Sequence, residues 1–122
     1  MRKTLRRTRI DPSPTDLQLD VLLALFDGPL GSGNLLDAVE DLRRRDVPLA
    51  TFYRQLQRTS DLGWIVADDA EASDGPGRPE RSYRLSTAGA RVLRRGIEEQ
   101  RRRVALADAG GILAEKMTET KS

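Results

Sequence analysis

In the stretch from Pro48 to Arg58, Ala50, Arg54 and Gln57 recur at i, i+4 and i+7, the spacing that gathers side chains on one face of a helix. Leu49, Phe52 and Leu56 fall on the opposite, apolar face, and Thr51, Tyr53 and Arg58 lie on the flanks. A guanidinium and a carboxamide each form paired hydrogen bonds with a planar partner, arginine with a guanine edge and glutamine with an adenine edge. That is the chemistry of recognition, not of bond making. Such a face would also serve as an ordinary solvated helix surface, so the neighbouring elements have to decide between the two.

Downstream, Gly77 to Gly89 reads Gly-Arg-Pro-Glu-Arg-Ser-Tyr-Arg-Leu-Ser-Thr-Ala-Gly, a basic turn that feeds an alternating strand and then a capped helix. Tyr83 and Leu85 fall on one face of that strand and Arg84 on the other. Trp64 to Ala67 is the partner strand, and the polar, glycine-rich run from Asp68 to Pro79 is the loop between them. A hairpin of this kind beside a helix with an Arg/Gln face is a wing, and its Arg78 and Arg81 are placed to meet phosphate. Thr51 and Tyr53 are read the same way, with Arg54 and Gln57 left for base edges.

Charge is segregated. The formal net charge is only +2, but Met1 to Ile10 carries Arg2, Lys3, Arg6, Arg7 and Arg9 with no acid. This basic arm is expected to contact phosphate without reading sequence; solvation alone is the competing explanation for it. Asp68, Asp69, Glu71 and Asp74 form the opposite extreme, an acidic stretch that would repel a phosphate backbone. Without histidine or cysteine, the chain cannot build an imidazole general base, a thiolate zinc site or a disulfide. The remaining acidic pairs sit in a loop with no third ligand, and Gly28, Gly31 and Gly33 lack the lysine and hydroxyl of a phosphate-cradling loop. No enzyme activity, metal or cofactor is expected. No apolar run is long enough to span a bilayer and the charged N-terminus does not resemble a signal peptide, so a cytoplasmic location is expected.

Two helices precede the Arg/Gln face. Ser13, Pro14 and Asp16 read as the start of the first, whose apolar set is Leu17, Val21, Leu22, Leu25 and Phe26, with Gly28 and Pro29 as its stop. The second starts at Ser32 or Gly33, buries Leu35, Leu36, Val39 and Leu42, and ends in Arg43, Arg44 and Arg45. After the hairpin, Ser86 or Thr87 caps a helix that runs to Ala109, roughly 35 Å at ~1.5 Å per residue. Its apolar stripe, Val92, Leu93, Gly96, Ile97, Gln100 and Val104, has nothing left in the chain to cover it, which predicts a second copy as its partner. Trp64, the single tryptophan, is read as core packing, with stacking of a planar aromatic ligand as the alternative.

Three helices, a hairpin and a long helix make the fold class mainly α with a small antiparallel β-hairpin: a winged helix-turn-helix plus a C-terminal dimerisation helix. Residues 1–11 are expected as a flexible arm, 12–86 as the winged-helix domain, 87–117 as the dimerisation helix and 118–122 as a disordered tail. From Leu22 to Leu93 the chain resembles the PadR-type transcriptional regulators. The resemblance is carried by Leu-Leu-Ala-Leu-Phe-Asp-Gly-Pro-Leu-Gly from Leu22, by Thr-Phe-Tyr-Arg-Gln-Leu-Gln-Arg from Thr51, by Leu62-Gly63-Trp64-Ile65, and by the wing from Gly77 to Gly89. It implies a homodimeric transcription factor, usually a repressor, of the smaller subgroup whose dimer contact is one helix. A palindromic operator in double-stranded DNA and a small aromatic effector are the partners to look for. Where family members carry an aromatic or histidine after the first Gly-Pro, this chain has Leu30-Gly31-Ser32. Two other functions stay open: a winged-helix module that binds protein through its acidic wing, and a ligand-responsive sensor.

Overall fold

The structure, a computed structural model, describes residues 12–68 and 81–110. The basic arm, the wing tip with Arg78, and everything after Gly110 lie outside the described residues.

Helix α1, Asp16–Ala24, begins two residues later than Ser13 and Pro14 suggest. The cap is Thr15, because only there does a glutamine stand three residues on. Gln18 N–H donates to Thr15 Oγ1 at 3.1 Å, and Thr15 N–H donates to Gln18 Oε1 at 2.9 Å. Both orphan donors are thereby satisfied, which lets Gln18 lie buried. At the other end the helix stops at Ala24, ahead of Phe26, which is 68% exposed and not part of the apolar face.

A two-residue strand, β1 (Leu30–Gly31), then leads into α2 (Ser32–Arg43). Leu35 and Val39 are fully buried and Leu36 partly, whereas Leu42, expected inside, is 45% exposed. At the end of α2, Arg44 takes a left-handed conformation with φ 61° and turns the chain. Glu40 Oε2 then accepts the Val47 N–H at 2.8 Å and pins the buried Val47 just before α3, Leu49–Asp61. Phe52, Leu56 and Thr59 form the inner face of α3; the Thr59 hydroxyl, with no access to water, donates to the Gln55 carbonyl at 2.6 Å. Leu49 departs from expectation, at 57% exposure. Side chains in a helix tilt towards its N-terminus, so a residue in the first turn of α3 reaches past the core.

Gly63, with φ 81°, supplies the left-handed residue after α3 that a side chain would strain. Trp64 follows at 1% exposure, its N–H bonded to the Thr59 carbonyl at 3.2 Å. It lies in the core with Val21, Leu22, Leu25 and Phe52, as the packing reading expects.

Strands β2 (Ile65–Asp68) and β3 (Ser82–Leu85) pair antiparallel in the register Ile65↔Leu85 and Val66↔Arg84. The hairpin is not the whole sheet. β1 joins on the other side of β3, pairing Leu30 with Tyr83 and Gly31 with Ser82, so the order is β1-β3-β2. Ser32 N–H adds a bond to the Arg81 carbonyl at 3.0 Å.

The final helix, α4, spans Thr87–Ala109, with Ser86 as its cap. The Ser86 Oγ accepts from Gly89 N–H at 2.9 Å and donates to the Gly63 carbonyl at 2.6 Å. Its own N–H donates to the Trp64 carbonyl at 3.0 Å. One serine therefore ties the end of α3, the sheet and the start of α4 together. No helix among the described residues is long and apolar enough to cross a membrane.

Candidate nucleic-acid interface

The outer face of α3 is built as its periodicity requires. Ala50, Tyr53, Arg54, Gln57 and Arg58 are exposed and Thr51 is half-buried. Phe52 and Leu56 are at most 1% exposed beneath them, so the face cannot rotate without opening the core. Tyr53 leans edge-on against the Phe52 ring at 5.3 Å, and its hydroxyl reaches Ser32 Oγ at 3.5 Å, the outer limit of a hydrogen bond. The guanidinium groups of Arg54 and Arg58 make no hydrogen bond or ion pair among the described residues, and both stay available to an external anion or base. Gln57 is engaged: its Nε2 donates to Asp61 Oδ1 at 2.9 Å. Asp61, a residue the sequence reading passed over, stands four positions on from Gln57, a helical spacing that could have flagged it.

At the root of the wing Arg81 is exposed, with its carbonyl fixed by Ser32. Arg84 points to the other face, as alternation predicts, and pairs with Asp68 at 3.2 Å across the hairpin. The carboxylate nearest the sheet is thus partnered by an arginine of the next strand. Arg78 and the arm residues Arg2, Lys3, Arg6, Arg7 and Arg9 lie outside the described residues.

The long-helix stripe divides in two. Val92 and Leu93 are 3% exposed within a single chain, packed in the core formed by the other helices. Gly96 lies against the Leu19 side chain of α1. The expectation that nothing in the chain covers this stripe is therefore corrected for its first part: the core takes in Val92 and Leu93, and Leu19 of α1 covers Gly96. Beyond Ile97, which still packs in part against the core, α4 runs clear. Ile97, Gln100, Arg101, Val104, Ala105 and Asp108 line an open groove along it, and Val104 is 60% exposed. Arg102 and Arg103 both bond Glu99 on the polar side of the same helix.

On the α1–α2 side, Arg43 Nη1 donates to Asp20 Oδ2 at 2.9 Å, which makes the arginine at the end of α2 a strut between helices. Among the described residues no group of three or more acidic side chains could hold a metal ion.

No protein-family model matches the chain, and no curated protein matches it in sequence. Solved structures do. A PadR family transcriptional regulator from Eggerthella lenta is 26% identical, with a TM-score of 0.56 over 78% of this chain and 80% of that one. A PadR family transcription regulator from Clostridium difficile is 18% identical, with a TM-score of 0.60 over 75% of this chain and 95% of that one. Bacillus subtilis PadR, solved in complex with operator DNA, is 20% identical, with a TM-score of 0.59 over 68% of this chain and 47% of that one. In fold, the described residues, mainly helical with a small three-stranded antiparallel sheet, are similar to these PadR regulators.

Proposed function

We propose that this chain is a sequence-specific DNA-binding transcriptional regulator, a repressor that occludes its promoter as a homodimer. The observation that carries the reading is the outer face of α3, where exposed Arg54 and Gln57 are held outward by the fully buried Phe52 and Leu56 beside a wing rooted in the same core. α3 enters the major groove with Arg54 and Gln57 towards base edges, while Thr51, Tyr53, Arg58, Arg78, Arg81 and the N-terminal arm meet phosphate. The operator complex of Bacillus subtilis PadR supports a DNA target for this fold.

The uncovered half of α4 supports the homodimer. Ile97, Gln100 and Val104 meet their counterparts in a second copy, and Val92, Leu93 and Gly96 act behind them by fixing α4 to the body. A two-fold protein reads a pseudo-palindrome, with half-sites about one or two turns of ~34 Å apart. Trp64 has no free face for a planar ligand. An aromatic effector would sit between the paired long helices. The protein works in the cytoplasm, where its target is.

The test is to select bound fragments from random duplexes and then titrate the winner at several salt concentrations. A palindromic consensus bound by a dimer is expected, with affinity falling steeply as salt rises. A monomer that prefers no duplex over heparin would overturn the reading.

A further inference from the structure

Asp61, the last residue of α3, is a carboxylate in a place that serves neither the helix nor general affinity. A negative charge in the last turn opposes the helix dipole. On a face offered to a polyanion it also repels phosphate. What it does do is hold Gln57: Oδ1 accepts the Gln57 Nε2 hydrogen at 2.9 Å, one helical turn away, with both side chains exposed.

That bond decides which end of the amide faces where. A free glutamine presents its oxygen and nitrogen in either order, because the two orientations differ only by rotation about the last bond. With Nε2 held on the Asp61 side, Oε1 is placed away from Asp61, and the second N–H remains free. The remaining pattern is one donor beside one acceptor in a fixed order, which matches the N7 acceptor and N6 donor of adenine. Guanine presents two acceptors, N7 and O6, along the same edge. A held amide must set Oε1 against one of them, whereas a freely turning amide can offer nitrogen instead.

We propose that Asp61 is a positioning residue that locks the donor–acceptor order of Gln57 and makes its contact selective for adenine over guanine. The proposal rests on the DNA-binding reading above, and its test separates the two. Binding to the selected operator and to duplexes carrying guanine at each adenine of the half-site is measured for wild type, Asp61→Ala, Asp61→Glu, Gln57→Ala and the Asp61→Ala/Gln57→Ala double variant. Wild type should prefer adenine at one half-site position by about tenfold or more, the range of a good paired contact. Asp61→Ala should lose at least about threefold of that preference, Asp61→Glu should retain most of it, and the double variant should show the same preference as Gln57→Ala alone.

A uniform gain in affinity for every sequence, with the preference intact in Asp61→Ala, would show that Asp61 only repels phosphate and would overturn the proposal while leaving the DNA-binding reading standing. An Asp61→Ala effect on the adenine-over-guanine preference that persists when Gln57 is already alanine would also overturn it. Absence of duplex binding in wild type would bring down both.

Discussion

Replacing Gly89 with alanine tests whether α4 is docked on the sheet by direct backbone contact. A Cβ built on Gly89 would stand 1.9 Å from the Trp64 carbonyl oxygen and 2.8 Å from its carbon, with Leu85 Cδ1 at 3.1 Å. The oxygen would have to retreat by about 1.5 Å to reach ordinary contact at 3.4 Å. It is not free to do so, because it accepts the Ser86 N–H at 3.0 Å, and Trp64 N–H is itself bonded to Thr59. Overpacking of this kind costs about 1 to 3 kcal/mol, and a backbone obstacle puts Gly89→Ala at the upper end. Alanine's better helix propensity returns up to ~1 kcal/mol. A net loss of about 2 kcal/mol is expected, or a fall of roughly 8 to 16 °C in melting temperature for a domain of this size. Gly96→Ala is the control, since its Cβ would meet the Leu19 side chain, nearest at Cδ1, 2.8 Å away, the far end of a side chain that can turn. It should change stability by less than ~0.5 kcal/mol or raise it slightly. Urea unfolding of both variants at matched protein concentration, with unchanged slopes, measures the difference. A Gly89→Ala protein as stable as wild type would refute the docking argument.

Thr15→Ala removes one half of the capping box and should cost about 1 kcal/mol in the same urea assay. Glu40→Ala strips the Val47 N–H of its charged acceptor and should cost about 2 kcal/mol, with slower hydrogen exchange at that amide counting against the assignment. Val104→Asp places a charge in the uncovered groove of α4 and should shift the species seen by sedimentation from dimer to monomer, with little change in far-ultraviolet circular dichroism. Arg54→Ala should weaken operator binding by roughly 1 to 3 kcal/mol and relax the base preference at one half-site position, whereas unchanged affinity at matched salt would remove Arg54 from the base contacts.

Periodicity made the helices legible, and stop signals placed most of their ends: Gly63 after α3, Ser86 before α4 and Ala109 as its last residue all follow from residue chemistry. What pattern could not show was contact between distant segments. β1 is two residues with no alternation of its own, and it is a strand only because β3 offers it hydrogen-bonding partners. Leu19 breaks the apolar period of α1, yet it covers Gly96, so the stripe on α4 looked longer than it is. Leu49 and Leu42 illustrate the converse, with correct spacing at positions where the core has already run out. On the recognition face, the types and spacing of Arg54 and Gln57 were readable in one dimension. The restraint on Gln57 by Asp61 depends on rotamers and had to be seen.

The placement of β3 in the middle of the sheet also limits what the molecule can do by accident. A strand with a free side is a template on which another extended chain can add. Among the described residues the strand most central to the wing has both sides taken, and the border left at β1 is two residues long. So short a margin gives an incoming polypeptide few amides to grip on the β1 side.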